Sequence, residues 1–258
     1  MQWITMFKKE VLESWRNKKW IWVPIVMMLL TMMDPISYYY LPEIINLAGG
    51  VPEGTIIEIP SLAPTEVVMM SLEQLSLFGV FIIVLTSMST IAGERQNGTT
   101  EIILVKPIKH HNYVTAKWTA FLLLIWFGLF LGMLINWYYT NLLFGDLSFL
   151  TMVKIVMFYG LWFTLVLTIS IFFNTLFKVP GLVAACTVIT LLILSVINMI
   201  FGHKLTLFPN QLSTYIYQMI ETNSISNQLV GTSVIILFLC GILLFLSIYL
   251  FKNKEVMN

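Results

Sequence analysis

Charged residues are scarce in this chain, and their scarcity excludes most soluble folds. Of its 258 residues, 10% are charged and 58% are hydrophobic, and the mean hydropathy is +0.87. Soluble domains usually contain about 25% charged residues and about 45–50% apolar ones. The composition therefore predicts an integral membrane protein. The formal net charge is only +1, which argues against nucleic acid as a partner.

Residues that carry common catalytic and metal chemistry are also few. The two cysteines, Cys186 and Cys240, lie in apolar segments, so we expect neither a disulfide nor a metal site. The three histidines lack the paired spacing of metal ligands, since His110 and His111 are adjacent and His203 is distant. Neither a Gly-x-x-x-x-Gly-Lys-Ser/Thr phosphate loop nor a Gly-x-Ser-x-Gly or His-Glu-x-x-His motif occurs. We expect the chain not to be an enzyme and to bind no cofactor itself.

Long apolar runs make up most of the chain. Each is close to the roughly 20 residues that cross a bilayer as a helix, and together they predict an all-α fold with six spans. We treat residues 1–258 as a single transmembrane domain, with an external loop at residues 202–228. The predicted spans are residues 20–40, 65–92, 118–138, 153–173, 181–201 and 229–251.

Residues 1–19 mix apolar and charged side chains at helical spacing. Most of the apolar ones, such as Trp3 and Phe7, share one face, and this pattern predicts an amphipathic helix along the cytoplasmic membrane surface. A cleaved signal peptide is the alternative, but the segment is too long and contains Glu10 and Glu13. The basic residues that we expect to anchor the helix are Lys8, Lys9, Arg16, Lys18 and Lys19.

Lysine and arginine are distributed unequally between the two sides of the membrane. Six spans place both termini on one side, and of the 14 basic residues all except Lys154 and Lys204 fall on that side. Cytoplasmic loops are enriched in lysine and arginine, so we expect the termini and residues 93–117 to be cytoplasmic. A multi-pass protein of the bacterial cell (inner) membrane is the predicted location.

One charged, turn-rich segment, residues 92–117, interrupts the apolar runs. Asn97-Gly98 is a turn dipeptide, and Glu101 would lie in the first turn of a short helix, where a negative charge suits the helix dipole. Pro107 would end that helix. The segment therefore predicts a turn, a short helix and a second turn.

The order of residue types in this segment resembles the cytoplasmic loop of type-2 ABC transporter permeases. The order is Gly-Glu-Arg-x-x-Gly-Thr-x-Glu-x-x-Leu, then Pro-Ile, then Tyr-Val-x-x-Lys. In that family the loop between the second and third spans carries a coupling helix that docks on an ATPase subunit. The resemblance implies a permease subunit of an ATP-driven exporter.

The resemblance also implies partners and functional residues. We expect two copies of a cytoplasmic ATPase, which would hold ATP and Mg, and a second permease of the same or similar sequence. Glu94 and Arg95 can also be simple capping or interfacial charges. The residues implied in ATPase coupling are Gly93, Glu94, Arg95, Gly98, Thr99, Glu101, Ile102, Leu104, Pro107 and Lys117.

Several other positions have two interpretations. Lys178 is either a second ATPase contact or a lysine that reaches the interface from a tight turn. Asp34 and Glu73, with Gln74, are candidate pathway or outer-gate residues, and otherwise interfacial groups. Residues 202–228 form either short helices of an outer gate or a surface-lying helix with no role in transport.

Two other classes of function are compatible with this sequence. An ATP-independent secondary transporter or channel would need discontinuous spans or internal repeats, and Asp34-Pro35 is the one candidate break that the first span offers. A membrane sensor or immunity protein would bind an antimicrobial peptide at its acidic outer loops.

Overall fold

The computed structural model describes residues 2–47, 62–99 and 109–256. Over these residues the chain is helical, and no strand occurs among them. Six of the helices are long and apolar enough to cross a membrane. The predicted all-α class with six spans is therefore confirmed.

We number the spans in chain order. The N-terminal helix Gln2–Arg16 precedes them, and the shorter helices Leu41–Leu47 and Leu212–Thr222 lie between spans, the latter preceded by a 3-10 turn at Pro209–Gln211. The helix of the sixth span continues to Val256. The six spans are Lys19–Tyr39, Pro64–Gln96, His110–Leu143, Phe149–Leu176, Pro180–Phe201 and Asn227–Asn253.

The fourth span is the centre of the bundle. In its most apolar window 78% of the residues are buried, compared with 17% in the fifth span and 22% in the sixth. It contacts the second, third, fifth and sixth spans. The indole N–H groups of Trp118 and Trp126 in the third span donate to Thr168 and Thr164 of the fourth, each at 3.0 Å. The fifth and sixth spans instead lie at the edge and expose much of their apolar surface.

The first and third spans approach closely at two glycines of the third span. Gly128 faces Val23 and Met27, and a methyl group at Gly132 would lie 3.2 Å from the backbone oxygen of Met27. At the same place the Thr31 hydroxyl of the first span donates to the Gly132 carbonyl of the third at 2.7 Å. Small residues permit this packing because no side chain separates the two backbones.

The second span is interrupted twice. A π-helical turn, Leu75–Gly79, interrupts its first half, and residues 88–91 form a turn between the helices Val80–Ser87 and Ala92–Gln96. The third span begins at His110, earlier than the predicted residue 118, so the end of the predicted 93–117 loop is helical. The turn at residues 88–91 and the early start of the third span lie on the two sides of the charged segment.

The two ends of the bundle differ in what they contain. One end, which we call the terminal side, holds the N-terminal helix and the end of the sixth span, where Phe251 stacks on Tyr113. The other end, the far side, holds the helix Leu212–Thr222, whose apolar face packs on the second, fourth and sixth spans. The apolar spacing within residues 202–228 thus marks a helix that buries this face against protein.

Candidate functional site

A cluster of polar and charged side chains joins three elements on the terminal side. The N-terminal helix, the end of the second span and the start of the third span each contribute to it. We call it the ionic junction, and its members are Lys9, Glu10, Glu13, Glu94, Tyr113 and Lys117.

Lys117 lies at the centre of the ionic junction. Its Nζ donates to Glu10 Oε1 at 2.8 Å and lies 2.9 Å from Glu94 Oε1. The Lys117 side chain is 1% exposed, that of Glu10 4% and that of Glu94 12%. A buried ammonium group is tolerated only beside compensating charge, which two carboxylates from two different elements supply here. Lys117 therefore fastens the third span to both the N-terminal helix and the second span.

Lys9 supplies the second ammonium group. Its Nζ lies 2.6 Å from Glu94 Oε1, 2.9 Å from Glu13 Oε2 and 3.0 Å from Glu10 Oε1. Burial lowers the pKa of Lys9, but the carboxylates of Glu10, Glu94 and Glu13 outweigh that effect and the net pKa is raised. A raised lysine pKa contributes stability fully below the unfolded-state pKa, so this contribution is complete at neutral pH. Lys9 thus pairs with carboxylates inside the protein rather than anchoring the helix to lipid alone.

Tyr113 extends the ionic junction to the sixth span. Its hydroxyl donates to Glu94 Oε2, and its ring stacks on Phe251 with centroids 5.1 Å apart and planes 11° from parallel. The ring also lies 5.1 Å from the Lys117 ammonium, within cation–π range. Glu94 therefore has a hydrogen-bond or ionic partner at each of its two oxygens.

Helical spacing brings these groups to one place. Tyr113 and Lys117 are four residues apart in one helix, as are Lys9 and Glu13, so each pair shares a helix face. Glu94 lies in the short helix Ala92–Gln96, beyond the break in the second span. The orientation of that helix, and hence of Glu94, depends on how the break is held.

Asn174 of the fourth span holds the break. Its side-chain oxygen accepts hydrogen bonds from the backbone N–H groups of Ile91 and Ala92, both at 3.1 Å. Its amide nitrogen donates to the carbonyls of Ser87, on the other side of the break, and Ser170, at 3.0 and 2.9 Å. Asn174 is fully buried, so water does not reach the backbone groups beside it. Its side chain supplies the hydrogen bonds that these groups lose where the helix is interrupted.

Arg95 makes a further connection to the fourth span. Its guanidinium donates to the Thr175 carbonyl at 3.0 Å, next to Asn174 in the chain. Arg95 and Glu94 thus contact different neighbours, one the fourth span and the other the ionic junction. Glu94 and Arg95 therefore each make specific contacts with residues distant in the chain. Their two interpretations, as coupling residues and as capping or interfacial charges, stay predictions.

The carboxylates of the ionic junction resemble a cation site only in part. Glu10, Glu13 and Glu94 each bring an oxygen within 4.8 Å of the others. The ammonium groups of Lys9 and Lys117, however, already contact these oxygens. The arrangement provides structural ion pairing and presents no nucleophile beside a base.

The remaining predicted coupling residues are distributed as follows. Gly93 lies in the short helix with its Cα face close to Ser89, and Gly98 adopts φ +70°, a left-handed conformation that suits the predicted turn. Thr99 is exposed. The predicted coupling helix lies outside the described residues, and with it Glu101, Ile102, Leu104 and Pro107.

Lys178 lies apart from the ionic junction. It is exposed in the short connection between the fourth and fifth spans, which also lies on the terminal side. The structure leaves both of its interpretations, a second ATPase contact and an interfacial lysine, as predictions.

The far-side candidates separate into two places. With its amide nitrogen facing the carboxylate, Gln74 donates to Asp34 Oδ2 at 2.9 Å. Glu73 is exposed on another face and lines a cavity of about 240 Å³ with Trp162 and Ser195. Asp34 and Gln74 therefore bridge the first and second spans, whereas Glu73 faces the fourth and fifth.

A buried polar network lies beside the Asp34–Gln74 contact. The Asn136 amide donates to the Thr31 carbonyl at 2.9 Å and to the Ser71 hydroxyl at 2.8 Å. The Ser71 hydroxyl lies 3.2 Å from the same Thr31 carbonyl. This network ties the first three spans together on the far side, opposite the ionic junction.

Five residues of the terminal-side site have no predicted role in it: Lys9, Glu10, Glu13, Tyr113 and Asn174. Lys9 is predicted as a membrane anchor, Glu10 and Glu13 as charges of a surface helix, and Tyr113 only as part of the residue order in residues 93–117. A signal for Glu10 was present, because an acidic residue is unexpected on a helix face that contacts anionic lipid. A lone asparagine near the end of an apolar span was a comparable signal for Asn174.

Together these features define a multi-pass membrane protein whose second and third spans, on either side of residues 97–109, are joined by buried ion pairs. The family model described as "ABC-2 family transporter protein" matches residues 4–256, and the chain belongs to this family. Uncharacterized transmembrane protein YxlG of Bacillus subtilis (strain 168) is 32% identical over 183 residues, which cover 71% of this chain and 71% of that protein. Family membership supports a transport permease role, since the family consists of membrane subunits that typically work with an ATPase subunit.

Proposed function

We propose that this chain is the permease subunit of an ATP-driven exporter and that separate ATPase subunits dock on residues 93–117. The observation that carries the proposal is the ionic junction, which joins the second and third spans where that segment leaves and re-enters the bundle. The chain contains no phosphate loop, so a partner must supply ATP hydrolysis. Family membership supports the same arrangement.

The ionic junction would transmit movement as one unit. A force on residues 101–105 would reach Glu94 on one side and Lys117 on the other, and these two side chains contact each other at 2.9 Å. Glu10 and Lys9 would carry the N-terminal helix along. Because a buried ion pair is costly to separate, the three elements would move together rather than apart.

The break in the second span gives that movement a pivot. Asn174 and the Thr175 carbonyl hold the short helix Ala92–Gln96 against the fourth span. A helix connected through a turn can change its direction without unwinding the apolar part of the span. The rest of the second span would then respond through a change of angle at residues 88–91.

The proposed complex contains two ATPases and two permeases. ATP and Mg would be bound by the ATPases, and the second permease would be a copy of this chain or a similar one. Both termini and residues 93–117 would face the cytoplasm of a bacterial cell, on the side where all basic residues except Lys154 and Lys204 lie.

Affinity purification of the chain in mild detergent, followed by mass spectrometry, tests the proposal. We expect a soluble ATPase in stoichiometric amount, and we expect its loss when two residues are inserted between Gly98 and Pro107. An insertion of the same length after Ser224, on the far side, is the matched control and should retain the ATPase. If the unaltered chain carries no ATPase under conditions that preserve other ATP-driven transporters, the proposal is wrong.

A second measurement tests coupling rather than docking. In a reconstituted complex, Glu101→Lys is expected to leave assembly intact and to separate ATP hydrolysis from transport. Lys178→Gln, in the other terminal-side connection, shows whether a second contact contributes. Unchanged transport in Glu101→Lys would contradict the proposed role of residues 101–105.

A further inference from the structure

A groove separates the fifth and sixth spans, and it runs from the terminal-side half of the fourth span to the segment Lys204–Pro209 that follows the fifth span. Its volume is about 710 Å³, and residues of the fourth span, including Leu165 and Ile169, form its floor. Leu194 of the fifth span and Leu239 of the sixth form facing walls. The groove exists because both outer spans pack on the fourth.

The lining of the groove is almost entirely apolar. Thr190 is one of its few polar residues, and its hydroxyl donates to the Cys186 carbonyl of its own helix at 2.8 Å. Among the lining residues, all of them in the described part of the chain, Lys204 alone is charged. The groove thus combines a hydrocarbon-like interior with one positive charge.

Lys204 lies three residues beyond the end of the fifth span and lines the groove. The fifth span ends at Phe201, and the Lys204 backbone N–H donates to the Phe201 carbonyl at 2.8 Å. The side chain is exposed rather than buried in the bundle. A lysine just beyond the end of a span lies at the depth of the lipid headgroups.

The segment that carries Lys204 is held over the groove by specific contacts. The Tyr215 hydroxyl donates to the Thr206 carbonyl, and Leu207 packs so closely on Gly231 of the sixth span that an added methyl group would lie 2.9 Å from it. Pro209, which also lines the groove, is buried. The position of Lys204 at the mouth is therefore fixed by the fold.

We propose that this groove binds an anionic phospholipid, with an acyl chain against the fourth span and the phosphate beside Lys204. An apolar groove beside membrane hydrocarbon gains dispersion contacts when a chain fills it. A membrane-surface lysine adds attraction to anionic headgroups that corresponds to about a fivefold preference. The site is independent of ATPase docking on the terminal side.

A lipid fits the mouth of the groove better than a helix from a second copy of the chain. An apolar helix lying across the groove would remove Lys204 from water without giving it a partner, which is unfavourable. An anionic headgroup pairs with the same charge. The exposed outer faces of the fifth and sixth spans remain available for contacts between copies.

The test uses the full chain, purified and reconstituted in nanodiscs that contain phosphatidylglycerol and phosphatidylcholine in equal amounts. Native mass spectrometry counts the lipids that remain bound, and thermal unfolding is followed in each lipid alone. Lys204→Gln and Lys204→Glu remove and reverse the charge, with Lys154→Gln as the charge control. Leu194→Trp fills the groove, and Ile193→Trp adds the same bulk at a neighbouring position with an exposed side chain.

We expect the unaltered chain to retain phosphatidylglycerol about fivefold over phosphatidylcholine and to unfold at a higher temperature in it. Lys204→Gln should abolish the preference, Lys204→Glu should reverse it, and Leu194→Trp should lose the retained lipid, while both controls behave as the unaltered chain. Equal retention of the two lipids, or a preference that survives Lys204→Glu, would overturn the proposal. So would a Leu194→Trp variant that loses self-association but keeps its lipid.

Discussion

At the scale of single residues, the ionic junction concentrates its contacts on few atoms. Glu94 Oε1 is shared by the ammonium groups of Lys9 and Lys117, at 2.6 and 2.9 Å. Glu10 Oε1 receives the same two groups, at 3.0 and 2.8 Å. Removing one member therefore leaves several buried groups with incomplete partners, and the cost of doing so exceeds the value of one pair.

Replacement of Lys117 should expose this dependence. Lys117→Met leaves Glu10 and Glu94 with one ammonium group fewer in a buried site, and we expect a loss of about 3–5 kcal/mol in stability. Thermal unfolding of the purified chain measures the effect. The double variant Lys117→Met with Glu10→Gln should recover part of the loss, because the uncompensated carboxylate is then gone.

Lys8→Met is the matched control for that experiment, because Lys8 is exposed on the same helix that carries Glu10. Its effect should lie within about 0.5 kcal/mol of zero, as for most surface substitutions. Equal effects of Lys8→Met and Lys117→Met would show that the ionic junction contributes little to stability.

Asn174 is the residue with the most specific role in the second span. Asn174→Leu keeps a similar volume but leaves the Ile91 and Ala92 N–H groups without their acceptor, so we expect a loss of about 1–3 kcal/mol for each buried group left unpaired. In a transporting complex the variant should lose transport more than ATP hydrolysis. Asn227→Leu, at an exposed position on the far side, is the control. Tightly coupled transport in Asn174→Leu would contradict a pivot at residues 88–91.

At the scale of helices, the packing of the first span on the third depends on the absence of side chains. Gly132→Leu would push a side chain against the Met27 backbone oxygen, which lies 3.2 Å from the position of its Cβ. We expect a loss of about 1–3 kcal/mol from overpacking, measured by thermal unfolding in detergent. Gly241→Leu is the matched control, because no atom lies within 4 Å of the added Cβ in the sixth span. If both variants unfold at the same temperature, the close approach does not limit stability.

At the scale of the whole molecule, the unequal distribution of basic residues predicts the orientation. Gln96 and Ser224 are exposed and lie on opposite sides of the bundle, so each can be replaced by a single cysteine. In a Cys186→Ala, Cys240→Ser background, a membrane-impermeant maleimide should label Ser224→Cys in intact cells. It should label Gln96→Cys only after permeabilisation. The reverse pattern would place the termini outside and exclude ATPase docking on residues 93–117.

The number of spans, their helical character and the position of the charged segment could all be inferred from the sequence. Each depends on local quantities. A bilayer requires about 20 apolar residues for each helical crossing, and turn residues and lysines lie outside those runs. The order of residue types in residues 93–117 likewise indicated the family without any knowledge of packing.

Which side chains meet was decided by the tertiary structure. Lys117 pairs with Glu10, and Asn174 caps Ala92, although each pair is far apart in the chain. No local pattern encodes such contacts, because they depend on how helices that are distant in the chain pack against one another. The groove beside Lys204 also depends on tertiary packing. It lies between the fifth and sixth spans, which both pack on the fourth span. The sequence by itself determined a six-span permease with a charged loop, and the packing of those spans determined how the loop is joined to the bundle.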